Sequence, residues 1–414
     1  MTGQGPTKEP PVQGYADSRF LRVRDAFEHN FATGEELGAA FAVYLDGEPV
    51  VDLWGGVADR HTGRPWQRDT PVLTYSCTKA ITATVLLRLA EQGAVDVTAP
   101  VAEVWPQFAA AGKSGVTVEH LLTHQAGLPV LEQPVPPEDF GDLPGIAARL
   151  AAQPPLWAPG TAHGYHALTY GFLVGEVVRR VAGTSVGELV ADEIAGPGGL
   201  EIWLGAPDDV VSRAARLSAG DRFTRPAAKS RVRGGPMAVS EDPGPGGDPR
   251  YAAALAALDT GSLMNRAMGN PNPNLLKGGA NHPLVMAAGW PAMGLVTTAP
   301  GLAAFYRDLV AGELLGLGTL RDAVRRRVRG PDRVLMLDSS FGLGYMRPAL
   351  TYPVPGAARD TAFGHTGLGG SLGLGDTRHG LGMAYTMNRL SQVITGSMRA
   401  YRLVEAVYRS LGRD

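Results

Sequence analysis

The sequence predicts an α/β (α+β) fold: one antiparallel sheet, flanked by helices and built from both chain ends, with an inserted, mainly helical lobe. Three observations predict it. Residues 38–56 hold two apolar, partly alternating runs around Asp46-Gly47, a dipeptide suited to a tight hairpin turn. The last third holds strand candidates at 341–346, 361–365, 371–375 and 381–387, then a closing helix over about 392–411. Between these strand-rich ends the spacing is helical. The expected division is therefore 14–75 plus 290–414 for the α/β lobe and 76–289 for the helical lobe.

The helices follow from apolar spacing and stop signals. Residues 18–33 place Phe20, Val23, Phe27 and Phe31 on one face. Residues 76–92 carry the stripe Ile81, Val85, Leu86 and Leu89, with Gly93 as a stop. A helix over 117–124 would turn Leu121 and Leu122 inward, and one over 167–182 ends at Gly183. Residues 219–250 are rich in Gly, Pro and charge and lack periodicity. They read as a mobile excursion and as part of a cavity rim.

Composition narrows the function. A net charge of -2 over 414 residues gives no field to attract nucleic acid or an anionic membrane. The run Arg325-Arg326-Arg327-Val328-Arg329 reads as a solvated helix end. Cys77 is the single cysteine, so no internal disulfide is expected, and a small buried role fits it better than a redox one. No run of about 18 apolar residues occurs, and the first residues lack the apolar segment of a secretory signal. A cytoplasmic protein without a membrane partner is the expectation. No cofactor is expected either, since no phosphate-binding glycine motif lies between a strand and a helix. His120 and His124 lie four apart, but Leu121 follows His120 where the H-E-x-x-H zinc signature needs glutamate. No metal is expected. The sequence carries no signal for oligomeric state.

Three segments carry chemistry. In Tyr75-Ser76-Cys77-Thr78-Lys79, serine and lysine three apart at a helix start project from one face. A serine hydroxyl becomes a nucleophile when a base takes its proton, and lysine serves once burial and the helix N-terminus disfavour its ammonium. A helix cap beside a surface lysine is the alternative reading. Lysine is scarce here, with only Lys8, Lys79, Lys113, Lys229 and Lys277. In the second segment a Pro159-Gly160 turn precedes Tyr165 and Tyr170. A phenol held partly ionised by the lysine ammonium would relay protons, although two packing tyrosines at a helix entrance are the more common fate of that residue. His163 and His166 flank Tyr165, as pocket or as solvated loop. In the third, Gly364-His365-Thr366-Gly367-Leu368-Gly369-Gly370-Ser371 would let a substrate approach backbone, or would be a simple turn.

In order and spacing these segments resemble the serine β-lactamase and penicillin-binding-protein superfamily. The matches are Ser76-Cys77-Thr78-Lys79 for S-x-x-K, Tyr165-His166-Ala167 for Y-x-N and His365-Thr366-Gly367 for K-T-G. Leu121 to Pro129 also resembles a stretch of that family, and the similarity runs from about residue 38 to the C-terminus. The resemblance implies a serine β-lactamase-like fold and an acyl-enzyme on Ser76, with Lys79 and Tyr165 as base. It implies an oxyanion hole from the N–H groups of Ser76 and Leu368, and substrate contacts from His365, Thr366, Gly367 and the position of Ala167. Trp157 and Trp290 are expected to wall the pocket.

Two departures point away from β-lactam substrates. Ala167 removes the amide of Y-x-N, and His365 removes a fixed positive charge. Both, with the length and the long variable middle, resemble the family VIII carboxylesterases. A small uncharged ester is the expected substrate. Acyl transfer, weak β-lactamase action, cleavage of D-amino-acid amides and non-catalytic binding stay open at this point.

Overall fold

The computed structural model describes residues 12–219, 256–257, 259, 261–391 and 395–412. A short strand β1 (Gln13–Ala16) and helix α1 (Leu21–Ala32) lead into the hairpin of β2 (Gly38–Leu45) and β3 (Glu48–Asp59). Asp46 and Gly47 turn it with φ of 50° and 89°, a backbone that glycine adopts without strain and aspartate tolerates. From the other chain end come β4 (Ala362–Thr366), β5 (Leu372–Asp376) and β6 (Leu381–Met387). The strand order is β1-β3-β2-β6-β5-β4. The two chain ends meet where β2 runs antiparallel to β6, with Ala39 opposite Met387 and Leu45 opposite Leu381.

Alternation along β2 divides the core. Ala40 and Ala42 join one cluster with Leu302, Phe305 and Leu309 of the helix Ala299–Ala311. Ala39, Phe41 and Val43 join another with Phe20, Val23 and Phe27 and with Leu403 and Val404 of the closing helix Met398–Ser410. Each Phe of the α1 stripe contributes roughly 1.5–3 kcal/mol by leaving water. Between the strand-rich ends lie α2 (Thr78–Glu91), α3 (Val118–Leu122), α4 (Leu143–Ala152) and α5 (Thr169–Ala182), the last ended by Gly183 at φ 73°. No helix among the described residues is long and apolar enough to cross a membrane.

Some expectations shift. The strand expected over 341–346 lies at Asp338–Phe341, paired with Val328–Pro331. The chain then bends at Gly344, φ 78°, and Met346 alone pairs with Gly364. The closing helix begins at Met398 because Gly396 holds φ 70° and Ser397 caps the first turn. A small sheet of Val72–Leu73, Leu295–Thr297 and Ile202–Leu204 was not anticipated from these short segments. The excursion expected over 219–250 falls outside the described residues from 220 onward.

Candidate active site

Ser76 sits in the turn that enters α2. The strand Val72–Leu73 delivers the chain, and Thr74 N–H donates to Leu295 O at 2.9 Å. Tyr75 then takes φ 49°, a left-handed backbone that is uncommon for a tyrosine and reverses the chain. Thr78 Oγ1 accepts from Leu295 N at 3.0 Å, so the helix start is pinned to the same strand from both sides. One turn into the helix, Lys79 is wholly buried.

The lysine Nζ has three neighbours: Ser76 Oγ at 3.2 Å, Ala167 O at 2.7 Å and Ala292 O at 3.0 Å. The two carbonyls can only accept. A neutral amine has two protons, which those carbonyls take, and its lone pair is left for the Ser76 hydroxyl. Burial supports this form by pushing the Lys79 pKa well below the ordinary lysine range.

Tyr165 lines the same cavity as Ser76, and the Lys79 Nζ lies 4.8 Å from its ring centroid. Burial raises its pKa, as it raises that of Tyr170. Burial thus disfavours charge separation into ammonium and phenolate, which runs against the expected partly ionised phenol.

The loop bearing Tyr165 is clamped at three successive amides. Gly164 N donates to His124 O at 3.1 Å, Tyr165 N to Asp332 Oδ1 at 3.0 Å, and His166 N to His124 Nδ1 at 3.1 Å. His166 spends both ring nitrogens, on Gly164 O at 2.7 Å and on Leu128 N at 2.9 Å. His120 completes a capping box with Thr117. The histidine pair that suggested a metal is thus engaged in holding backbone. Asp332 was missed in the sequence, where a lone Asp beside Pro331 and Arg333 looks like a surface turn. It is 2% exposed. Its Oδ1 also accepts from Val334 N and Leu335 N, each at 2.9 Å, and its Oδ2 accepts from Ser339 Oγ at 2.9 Å. His163 closes the network on Ser339 Oγ at 2.9 Å.

The glycine-rich segment ends β4 beside Ser76. A Cβ on Gly367 would lie 2.1 Å from Thr74 O, so only glycine allows this loop to press against the turn before Ser76. Gly369 O accepts from Arg399 at 3.0 Å, and Arg399 pairs with buried Glu36 at 2.8 Å. The amides of Ser76 and Leu368 have no hydrogen-bond acceptor among the described residues. Cys77 is buried, its thiol 3.5 Å from His365 O and pushed up to about 12 by burial.

Ser76 opens into a cavity of about 350 Å³. Its wall includes Tyr75, Tyr165, Ala167, Thr366, Leu368 and Thr395, with Met268, Met293, Met346 and Leu335 supplying apolar surface. No Lys, Arg or His side chain lines it among the described residues. Four expected contacts are corrected. His365 is 0% exposed, its Nδ1 lies 2.7 Å from Thr366 O, and burial together with nearby Lys79 pushes its pKa down to about 3. It is a neutral residue behind the wall, as Gly367 is a spacer behind it. Trp290 is buried against Phe140, with Nε1 donating to Phe140 O at 2.8 Å. Trp157 donates to Ala162 O at 3.0 Å and braces the Tyr165 loop edge-on to His166. Large apolar side chains had better burial available in the core than at a wet wall.

Asp332→Ala is expected to lower kcat by roughly 10- to 100-fold by releasing Tyr165, within the usual range for one acid–base group. Asp332→Asn should recover most of it, because an amide oxygen accepts from the same three N–H groups. Loss confined to stability, with kcat unchanged, would show that Asp332 does not act through Tyr165.

Comparison with known proteins agrees with this geometry. The family model described as Beta-lactamase matches residues 23–407. "Esterase/beta-lactamase LipL" of Mycobacterium tuberculosis (strain ATCC 25618 / H37Rv) is 35% identical over 397 residues, 93% of this chain and 85% of that protein. A crystal structure of a family VIII carboxylesterase is 36% identical, covers 97% of this chain and 100% of its own, and superposes with a TM-score of 0.81. A penicillin-binding protein homolog from Caulobacter crescentus is also 36% identical, with a TM-score of 0.79 over 97% of this chain and 100% of that one. The fold, the order of its motifs and this extent of similarity place the chain in the Beta-lactamase family.

Proposed function

We propose that the protein is a serine carboxylesterase that cleaves small uncharged esters through an acyl-enzyme on Ser76. The observation that carries this reading is the buried lysine Nζ, held by two backbone carbonyls at 3.2 Å from Ser76 Oγ. Ser76 gives its proton to that lone pair as Oγ attacks the ester carbonyl carbon. The oxyanion lies between the N–H groups of Ser76 and Leu368. Collapse breaks the bond to the leaving oxygen, which takes a proton from the neutral Tyr165 phenol, and Lys79 returns a proton to Tyr165. Water then attacks the acyl-enzyme by the reverse relay and frees Ser76. The similar esterases support ester chemistry. The absence of Lys, Arg and His side chains from the wall among the described residues, with His365 held neutral behind it, supports an uncharged substrate.

The test compares short-chain p-nitrophenyl esters with nitrocefin. Losing a charge-assisted bond to the β-lactam carboxylate disfavours nitrocefin by about 1.5–3 kcal/mol, so esters should lead in kcat/KM by at least roughly tenfold. Faster nitrocefin turnover would overturn the ester reading. The pH profile has a definite sign. A lowered Lys79 pKa leaves the amine free at neutrality, and a raised Tyr165 pKa keeps the phenol protonated in alkali. Ester kcat/KM should fall toward acid as Lys79 gains a proton, and stay level from neutrality to about pH 9, below the ordinary lysine and tyrosine values. A rise through that alkaline range would mean that Lys79 is charged at neutrality.

A further inference from the structure

Two hydroxyl groups of the cavity wall, Thr366 and Thr395, are bonded to each other in a way that fixes where their protons go. Thr395 Oγ1 lies 2.6 Å from Thr351 O, and Thr366 Oγ1 lies 2.7 Å from Thr395 Oγ1. A backbone carbonyl only accepts, so the single proton of Thr395 is directed to Thr351 O. The contact between the hydroxyls then needs a proton from Thr366. The 3.6 Å approach of Thr366 Oγ1 to Met346 Sδ draws on that same proton. Thr366 is left with lone pairs alone for the cavity, and the residue before it, His365, is buried and neutral.

We propose that Thr395 is a specificity-determining residue: by taking the Thr366 proton it makes this side of the cavity a hydrogen-bond acceptor, which disfavours substrates bearing a carboxylate. A carboxylate there sets a full negative charge against oxygen lone pairs, a neutral ester sets only partial charge against them, and a substrate N–H or O–H finds an acceptor. This rests on the ester-hydrolase reading of Ser76 and adds a cause for substrate choice that lies outside the sequence motifs.

The experiment uses two p-nitrophenyl esters of the same acyl chain, one of glutaric acid with its second carboxyl free, the other of its monomethyl ester. Wild type should favour the methyl ester in kcat/KM by about tenfold or more. Thr395→Val keeps the shape but removes the oxygen acceptor of the Thr366 proton, leaving only the weak Met346 Sδ contact to compete with a ligand in the cavity. It should raise kcat/KM for the carboxylate substrate itself by about tenfold. Thr395→Ser keeps the hydroxyl and should keep the wild-type ratio, which separates polarity from packing. Equal use of both esters by wild type, or an unchanged ratio in Thr395→Val, would overturn the proposal while leaving the esterase reading intact. If neither ester is cleaved, the esterase reading fails. Calorimetric affinities of matched amide analogues then make the same comparison, again with the carboxylate expected to gain about tenfold in Thr395→Val and no gain overturning the proposal.

Discussion

Lys79→Met is expected to lower kcat/KM for a neutral p-nitrophenyl ester by about 10,000-fold or more, to the same floor as Ser76→Ala, with the double variant no slower than either. The reason is that serine and lysine act as one unit. Without a lone pair 3.2 Å from Oγ, the hydroxyl keeps its proton and attacks too weakly to matter. Methionine fills a similar volume, so loss of packing is minimised. Each single variant, the double variant and wild type would be compared by steady-state kinetics and by labelling with a serine-reactive phosphonate. Multiplicative losses in the double variant would show that lysine acts independently of serine, and a Lys79→Met enzyme with near-native rates would remove lysine from the mechanism.

Tyr165→Phe should have the next largest effect, and its size should depend on the leaving group. The phenol is neutral because burial raises its pKa, so its part is to donate a proton to the departing oxygen. A p-nitrophenolate leaves readily without help. An alkoxide does not. Loss of about 100- to 10,000-fold is therefore expected on alkyl esters, and markedly less on p-nitrophenyl esters. A phenolate acting as the base toward Ser76 would instead give equal losses on both. The two series, measured on one acyl group, separate these roles.

Much of this was readable before the structure, for reasons that differ by element. The hairpin around Asp46-Gly47, the α1 stripe and the end of α5 at Gly183 are local: φ preference and apolar spacing act within a few residues. The motif segments holding Ser76, Lys79 and Tyr165 were recognisable because their chemistry demands particular side chains, and the structure brings all three together. The strand expected over 341–346 was misplaced because Gly344 bends the chain, and an apolar run does not record where pairing stops. Trp157 and Trp290 were expected at the cavity wall. Burial in competing core sites decided otherwise.

The sequence by itself determined the hairpin, several of the helices and the residue types Ser76, Lys79 and Tyr165 of the proposed site. These rest on local backbone preference and on residue type. Only the tertiary structure decided the burial and hydrogen-bond partners of those groups. It set Lys79 against Ala167 O and Ala292 O, which are 125 residues apart in the chain, and it buried His365 behind the wall instead of facing it to substrate. It also joined Asp332 to the Tyr165 amide and Thr395 to the Thr366 hydroxyl. Desolvation and hydrogen-bond direction depend on atoms brought from distant parts of the chain, so no local pattern carries them.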